Sequence, residues 1–263
     1  MPLALVSVHD KQGLAEFAHR LAKHGWRFLA SGGTAETLRR AGLAPVDVAA
    51  YTKSPELLGG RVKTLHPAIH AGILARPHQS DLAQLKAQGW EPIDMVIVNL
   101  YPFEATVARP GATDSEIIEE IDIGGVALIR AAAKNAERVT LVISPDQYDE
   151  VAQAIETGGI PESLRLQLAL EGFRRTASYD RAISAWMEGR VSSAAVATQG
   201  AEINGKDNEA NVPASSGSEP VLLVEAGIER MLRYGENPHQ QALFAIPTFM
   251  KVQGEVPAGF LTA

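Results

Sequence analysis

The densest chemical signal is a ten-residue run, Leu58-Gly59-Gly60-Arg61-Val62-Lys63-Thr64-Leu65-His66-Pro67. Two glycines, two cations and a threonine in so short a span suit a loop folded over a phosphate or a carboxamide. The plainer alternative is a solvated surface loop, but the Gly-Gly start and the closing proline fit that less well. A second run, Ala30-Ser31-Gly32-Gly33-Thr34, falls between an apolar stretch and a helical pattern. Glycines there let the backbone approach a ligand, and the free N–H groups of the helix start attract an anion. Ser31 and Thr34 can add hydroxyl donors. An ordinary turn with Thr34 as the helix N-cap is the competing reading.

Three further stretches carry usable groups. In Val98-Asn99-Leu100-Tyr101-Pro102-Phe103, Asn99 and Tyr101 alternate onto one face of a strand end. There Asn can recognise an amide and Tyr can donate or transfer a proton; a core-edge Tyr with a solvated hydroxyl reads as well. Ile121-Asp122-Ile123-Gly124-Gly125 opens a helix that closes on Ala-Ala-Ala-Lys134-Asn135, giving a second anion-binding turn. Lys134 could reach a shared cleft, although spacing alone favours a cation placed at a helix C-terminus by the dipole. His66 and His70 lie four apart, but Pro67 stands between them and no Glu or third ligand accompanies them. A metal site is therefore not expected, and His66 reads as a cap or a loop hydrogen bond.

These groups need a scaffold, and the chain supplies one. Short apolar runs at Leu3–Val8, Arg27–Ser31, Pro45–Ala49, Asp94–Leu100 and Arg138–Ser144 read as strands covered on both faces. Amphipathic segments alternate with them: Lys11–His24, Ala35–Ala41, Asp81–Gln88 and Asp146–Thr157. The pattern predicts an open, doubly wound α/β domain with a mainly parallel sheet of about five strands and helices on both faces. Such a domain binds ligands outside the carboxyl ends of its strands, which is where the polar motifs fall. A long helical region covers Pro161–Arg190. Residues 191–220 then turn to Ser, Ala, Gly, Asn and Glu without an aromatic residue and read as a flexible linker. The expected organisation is a domain over 1–190, a linker over 191–220 and a further piece over 221–263, too small to be a domain alone.

Composition narrows the function. With 46% apolar residues in 263 the chain can bury a core. The 24 Lys and Arg against 31 Asp and Glu, net −7, argue against a nucleic-acid partner yet leave room for a phosphorylated small molecule in a cationic pocket. The absence of cysteine removes thiolate catalysis and disulfides. Neither a signal-peptide pattern nor a membrane-length apolar run is present, so a cytoplasmic protein without membrane partners is expected.

No single motif assigns a function, but their order does. The succession SVHDK, SGGT, GGRVKTLHP, IHAGILAR, NLYPFE, IDIGG and RAAAKN resembles the IMP cyclohydrolase domain of the bifunctional enzyme that ends purine synthesis. The likeness spans Leu3 to Met187. LRYGENPHQ at Leu232–Gln240 is similar to the opening of the fused AICAR transformylase domain. The resemblance implies a methylglyoxal-synthase-like fold and dehydrative ring closure of 5-formamidoimidazole-4-carboxamide ribotide (FAICAR) to inosine monophosphate (IMP) and water. No cofactor is implied for that step; 10-formyltetrahydrofolate would be co-substrate of the transformylase.

Position by position, Lys134 matches the family's principal proton-transfer lysine. Lys63, Tyr101 and Asp122 match residues around the reacting groups. Nucleotide contacts are implied at His9, Asp10, Lys11, Ser31, Gly32, Gly33, Thr34, Arg61, Val62, Lys63, Thr64, Val98, Asn99, Asp122 and Ile123. A basic Lys134 should be partly buried or beside a second cation, for which Lys63 is the candidate. Arg233 and Tyr234 match the substrate-binding start of the transformylase. Its catalytic Lys-His pair does not occur before Ala263, so no transformylase activity is expected of this chain. His9 departs from the family's usual Ser, and the linker is longer than usual. The family forms dimers largely through the second domain, which leaves homodimer and monomer both open. A phosphate-eliminating lyase and a regulatory nucleotide-binding domain are the rivals. The first leaves KTLHP, NLYPF and RYGENPHQ unexplained, and the set Lys63, Tyr101, Asp122 and Lys134 speaks against the second.

Overall fold

A computed structural model describes residues 1–202, 226–232 and 242–247. The chain divides into two units, Met1–Asn204 and Gly205–Ala263. In the first, β1 (Leu3–Val8), α1 (Leu14–Lys23), β2 (Arg27–Ala30), α2 (Gly32–Arg40) and β3 (Val46–Asp47) follow in order. Next come α3 (Val48–Thr52), α4 (Pro67–Leu74), α5 (Gln79–Ala87) and β4 (Met95–Asn99). The unit ends with α6 (Phe103–Ala108), α7 (Asp114–Glu119), α8 (Gly124–Lys134), β5 (Thr140–Val142), α9 (Tyr148–Glu156) and α10 (Glu162–Glu202). The strands form one sheet in the order β3-β2-β1-β4-β5, parallel throughout.

The sheet is buried on both faces, as its near-continuous apolar strands require. Along β1, Leu3 and Leu5 enter one core while Ala4, Val6 and Val8 enter the other; along β4, Val96 and Val98 part from Met95 and Ile97 in the same way. The first core is completed by residues of α4, α8 and α10, the second by α1, α2 and α9. Leu14, Phe17, Ala18 and Leu21 form the buried stripe of α1, at the spacing of one helix face. The doubly wound, parallel five-stranded architecture expected from the sequence is the one observed.

Most element ends fall within two residues of expectation, and four departures bear on the site or on the chain's organisation. Helix α1 starts at Leu14 rather than Lys11 because Gly13 adopts φ 69°, a left-handed conformation suited to glycine. His9, Asp10 and Lys11 are thereby left as a loop. The third strand stops at Asp47, whose carboxylate accepts the Ala49 N–H at 2.9 Å and starts α3. Helix α2 begins at Gly32, earlier than Ala35. Helix α10 continues to Glu202, so residues 191–202 are helical where a linker was expected. The remainder of that span, 203–220, lies outside the described residues, as do Arg233 and Tyr234. The second unit contains an antiparallel pair, β6 (Ala226–Leu232) and β7 (Ala242–Pro247), with a register shift between Ile228 and Arg230. No helix among the described residues is long and apolar enough to cross a membrane.

Candidate active site

Strands β1 and β4 are adjacent, and the chain reverses its winding between them. Ligands bind at such a switch point, and a cleft of about 510 Å³ opens there. Its walls come from the ends of β1 and β4, the start of α2, the 56–64 loop, and the Ile118–Gly125 segment that leads into α8.

One end of the cleft is built for an anion. Ser31 occupies the N-cap of α2 with extended backbone and makes no capping hydrogen bond, so the first N–H groups of the helix are open to a ligand. Gly32 has φ 52°, and a Cβ there would lie 2.6 Å from Lys63 Nζ. Glycine thus lets the ammonium sit directly over the turn. Lys11 reaches the same place: its Cε lies 3.7 Å from where a Gly33 Cβ would be, and its Nζ donates to the His9 carbonyl at 3.0 Å. Thr34 does not present its hydroxyl. It is buried, donating to Val8 O at 3.1 Å and accepting from Val8 N–H at 3.3 Å. Acidic side chains hold the loop cations: Lys63 lies 3.5 Å from Glu56, and Arg61 forms an ion pair with Glu119.

The other end carries proton-handling groups. Asp122 Oδ1 accepts the Gly125 N–H at 2.6 Å and Oδ2 accepts the Tyr101 N–H at 3.4 Å. Burial pushes its carboxyl above the usual carboxylate range, against the pull of those two N–H bonds. The Tyr101 phenol is also pushed up, first by burial and then by Asp122, Glu120 and Glu56. Tyr101 is 48% exposed, and the neighbouring carboxylates act in the same direction as burial. His9 meets the Tyr101 ring edge-on, with centroids 5.6 Å apart. Asn99 serves the scaffold: its Oδ1 accepts the N–H groups of His9 and Asp10 at 2.6 and 2.9 Å, and its Nδ2 donates to Asp10 O at 2.9 Å. That side chain ties the β1 loop to β4, spending its oxygen and one of its two N–H donors on the scaffold.

Of the residues singled out from sequence, His9, Lys11, Ser31, Gly33, Thr34, Arg61, Lys63, Thr64, Asn99, Tyr101, Asp122 and Ile123 line the cleft. Five do not. Val98 is buried at 1% exposure in the core, Val62 pairs with Leu57 across the loop, and the Asp10 carboxylate accepts the Gln12 N–H. Gly32 lies beneath Lys63. The fifth is Lys134, the last residue of α8 and exposed. Ten residues of helix separate it from Gly124, about 15 Å at 1.5 Å per residue. The expected burial of Lys134 is not found, because a helix that puts its N-terminus into the cleft carries its C-terminus away. The next residue explains the motif better: Asn135 is buried and donates to Ile73 O and Ala75 O at 2.7 and 2.9 Å, closing the end of α4. His66 Nδ1 accepts the Ala68 N–H at 3.1 Å and caps α4, while His70 Nε2 is buried without a partner. Among the described residues no group of three or more His, Cys, Asp or Glu is placed to hold a metal ion. Glu56 and Glu119 were not foreseen; Arg61 and Glu119 are 58 positions apart, and only the fold joins them. Gly124 and Gly125, which the sequence marks as a second anion-binding turn, line the cleft as well.

Residues 132–256 match the family described as AICARFT/IMPCHase bienzyme, and 13–127 match the MGS-like domain. The bifunctional purine biosynthesis protein PurH of Synechococcus sp. (strain CC9605) is 49% identical over 248 residues, 92% of this chain and 42% of that protein. The crystal structure of ForH superposes with a TM-score of 0.63 at 38% identity, covering 70% of this chain and 95% of that one. The chain belongs to the PurH family. Another member, the PurH of Rhodopirellula baltica, is 48% identical over 241 residues, 91% of this chain and 42% of its own length. The chain therefore spans less than half the length of these curated PurH relatives. Every residue that lines the cleft from Ser31 onward falls within the MGS-like match, and none falls within the bienzyme match.

Proposed function

We propose that the cleft is an IMP cyclohydrolase site, which closes the ring of FAICAR to give IMP and water. One observation carries this reading: an anion-binding helix start flanked by Lys11 and Lys63 shares a cleft with the Asp122–Tyr101 pair. A ribotide needs both ends. Its 5′-phosphate is assigned to the N–H groups of α2 with the two lysines as counter-charges, and its base to the end where α8 begins.

The reaction joins two groups already on one ring, so conformation and proton movement supply most of the catalysis. The carboxamide nitrogen attacks the formyl carbon, forming the new C–N bond, and the formyl oxygen takes up negative charge. Tyr101, held in its protonated form by its surroundings, donates to that oxygen. Asp122 accepts the proton that the attacking nitrogen loses. The resulting hydroxyl then leaves as water on the proton that Asp122 returns, while the second ring nitrogen gives its proton to the Tyr101 oxygen and the C=N bond forms. Nothing is oxidised or reduced, so the chemistry calls for no redox cofactor, and the scheme assigns no step to a metal. The partner is the small-molecule substrate, with neither nucleic acid nor membrane, in the cytoplasm. Lys134 has no step in this scheme.

Purified chain with FAICAR, followed by absorbance for IMP, tests the reading. Tyr101→Phe and Asp122→Asn should each lower kcat by about 10²-fold or more. Turnover by both variants at the wild-type rate would refute the assignment of the cleft.

A further inference from the structure

We propose that Tyr179, on helix α10 and outside the cleft, is a positioning residue that sets the Asp122 carboxylate for the reaction. Tyr179 is fully buried. Its hydroxyl donates to Glu120 O at 2.9 Å and accepts the Asp122 N–H at 2.8 Å. Both main-chain groups on either side of Ile121 are thus fixed by one side chain from a helix remote in sequence. Its ring meets Phe103 edge-on, with centroids 6.0 Å apart, two residues beyond Tyr101. The Arg175 guanidinium lies over the other part of the ring at 5.4 Å and pairs with Glu104 at 2.6 Å.

One turn of α10 therefore holds the two segments that carry the proton-handling pair. The Asp122 carboxylate reaches the Gly125 and Tyr101 N–H groups only while its own peptide is held in place. Neither of those two bonds is made to α10, so Tyr179 acts through the backbone of Asp122 and not on substrate.

Tyr179→Phe keeps the ring and removes only the hydroxyl. For the kinetic part the inference rests on the cyclohydrolase reading. We expect kcat for IMP formation to fall about tenfold, the scale of a small misplacement of a reacting group, with KM changed by less than about threefold. A second readout does not depend on turnover: the Asp122 carboxyl titration followed by carbon NMR, assigned through Asp122→Asn. The N–H bonds that favour the charged form weaken when the peptide is released, so the midpoint should move up in Tyr179→Phe. An unchanged midpoint overturns the positioning role whatever the kinetics show. A wild-type chain that makes no IMP defeats the cyclohydrolase reading alone, and the NMR midpoint still decides Tyr179. Should Tyr179→Phe fail to fold, amide exchange in the wild-type chain decides it: slow exchange at Asp122 supports the bond to Tyr179, and exchange at the rate of an open loop overturns it.

Discussion

Gly125→Ala isolates the position of the Asp122 carboxylate without touching its chemistry. A Cβ at Gly125 would lie 2.5 Å from Asp122 Oδ2, 2.9 Å from Asp122 Cγ and 2.8 Å from Leu100 Cδ2. Van der Waals contact needs about 3.5 Å, so the carboxylate must retreat by roughly 1 Å. The backbone is not strained by the change, because Gly125 does not have positive φ. Retreat breaks or lengthens the 2.6 Å bond from the Gly125 N–H. A misplacement of about 1 Å costs about 10²-fold in rate, and that is the loss expected in kcat. Overpacking costs about 1–3 kcal/mol, and at the second residue of α8 little of the mid-helix gain from replacing glycine offsets it, so a net loss of about 1–3 kcal/mol should appear in urea melts. Gly124→Ala is the paired control: its Cβ would meet only Thr64 Oγ1, at 3.2 Å, and a small hydroxyl shift relieves that. Steady-state IMP formation by both variants, with unfolding curves, makes the comparison. A Gly125→Ala enzyme with kcat within about twofold of wild type would refute the claim that the reaction depends on where Asp122 sits.

Asp122→Asn should raise the melting temperature at pH 7 while abolishing most turnover. Burial lifts the folded-state carboxyl above its unfolded value, so stability from this group is full below about pH 4 and is lost as pH rises through the folded value. An amide avoids that loss, and a variant less stable than wild type at neutral pH would contradict the burial argument. Lys134→Ala should keep kcat within about threefold, since a cation on the last turn of a helix contributes about 0.3–1 kcal/mol to the fold. Lys63→Ala should lower kcat/KM by about 10²-fold; the reverse ranking in the same assay would return Lys134 to the mechanism. Asn135→Ala removes one of two donors from each of the Ile73 and Ala75 carbonyls, which keep Arg138, and should cost about 0.5–1.5 kcal/mol per bond lost in chemical denaturation, with little change in KM.

Much of this arrangement was legible in the sequence because its signals are local. Strand periodicity placed Leu3–Val8 and the neighbourhood of Met95–Asn99, and Gly-Gly pairs marked the starts of α2 and α8. What escaped was set by contacts between distant segments. The order of motifs drew Lys134 toward the site, yet rise along a straight helix carries it away from Gly124. Asn99 looks like a ligand group in sequence, but the β1 loop folds back and takes its amide oxygen and one of its two N–H donors. The Thr34 hydroxyl faces Val8 for a similar reason: it stands on the inner side of α2, against the end of β1. Tyr179 lies in a helix with no motif around it, and only packing of α10 on α8 and β5 brings it to Glu120 and Asp122. The serine- and alanine-rich composition after Arg190 reads as a linker, although alanine is also the best helix former, and α10 continues as far as Glu202.

The most direct test of the central claim is a single progress curve: purified chain with FAICAR at neutral pH, following IMP by absorbance against an enzyme-free control. The cleft as built predicts many turnovers per chain, with IMP as the product. Tight binding of the ribotide without IMP above the enzyme-free rate would contradict it and leave the cleft as a nucleotide-binding site only.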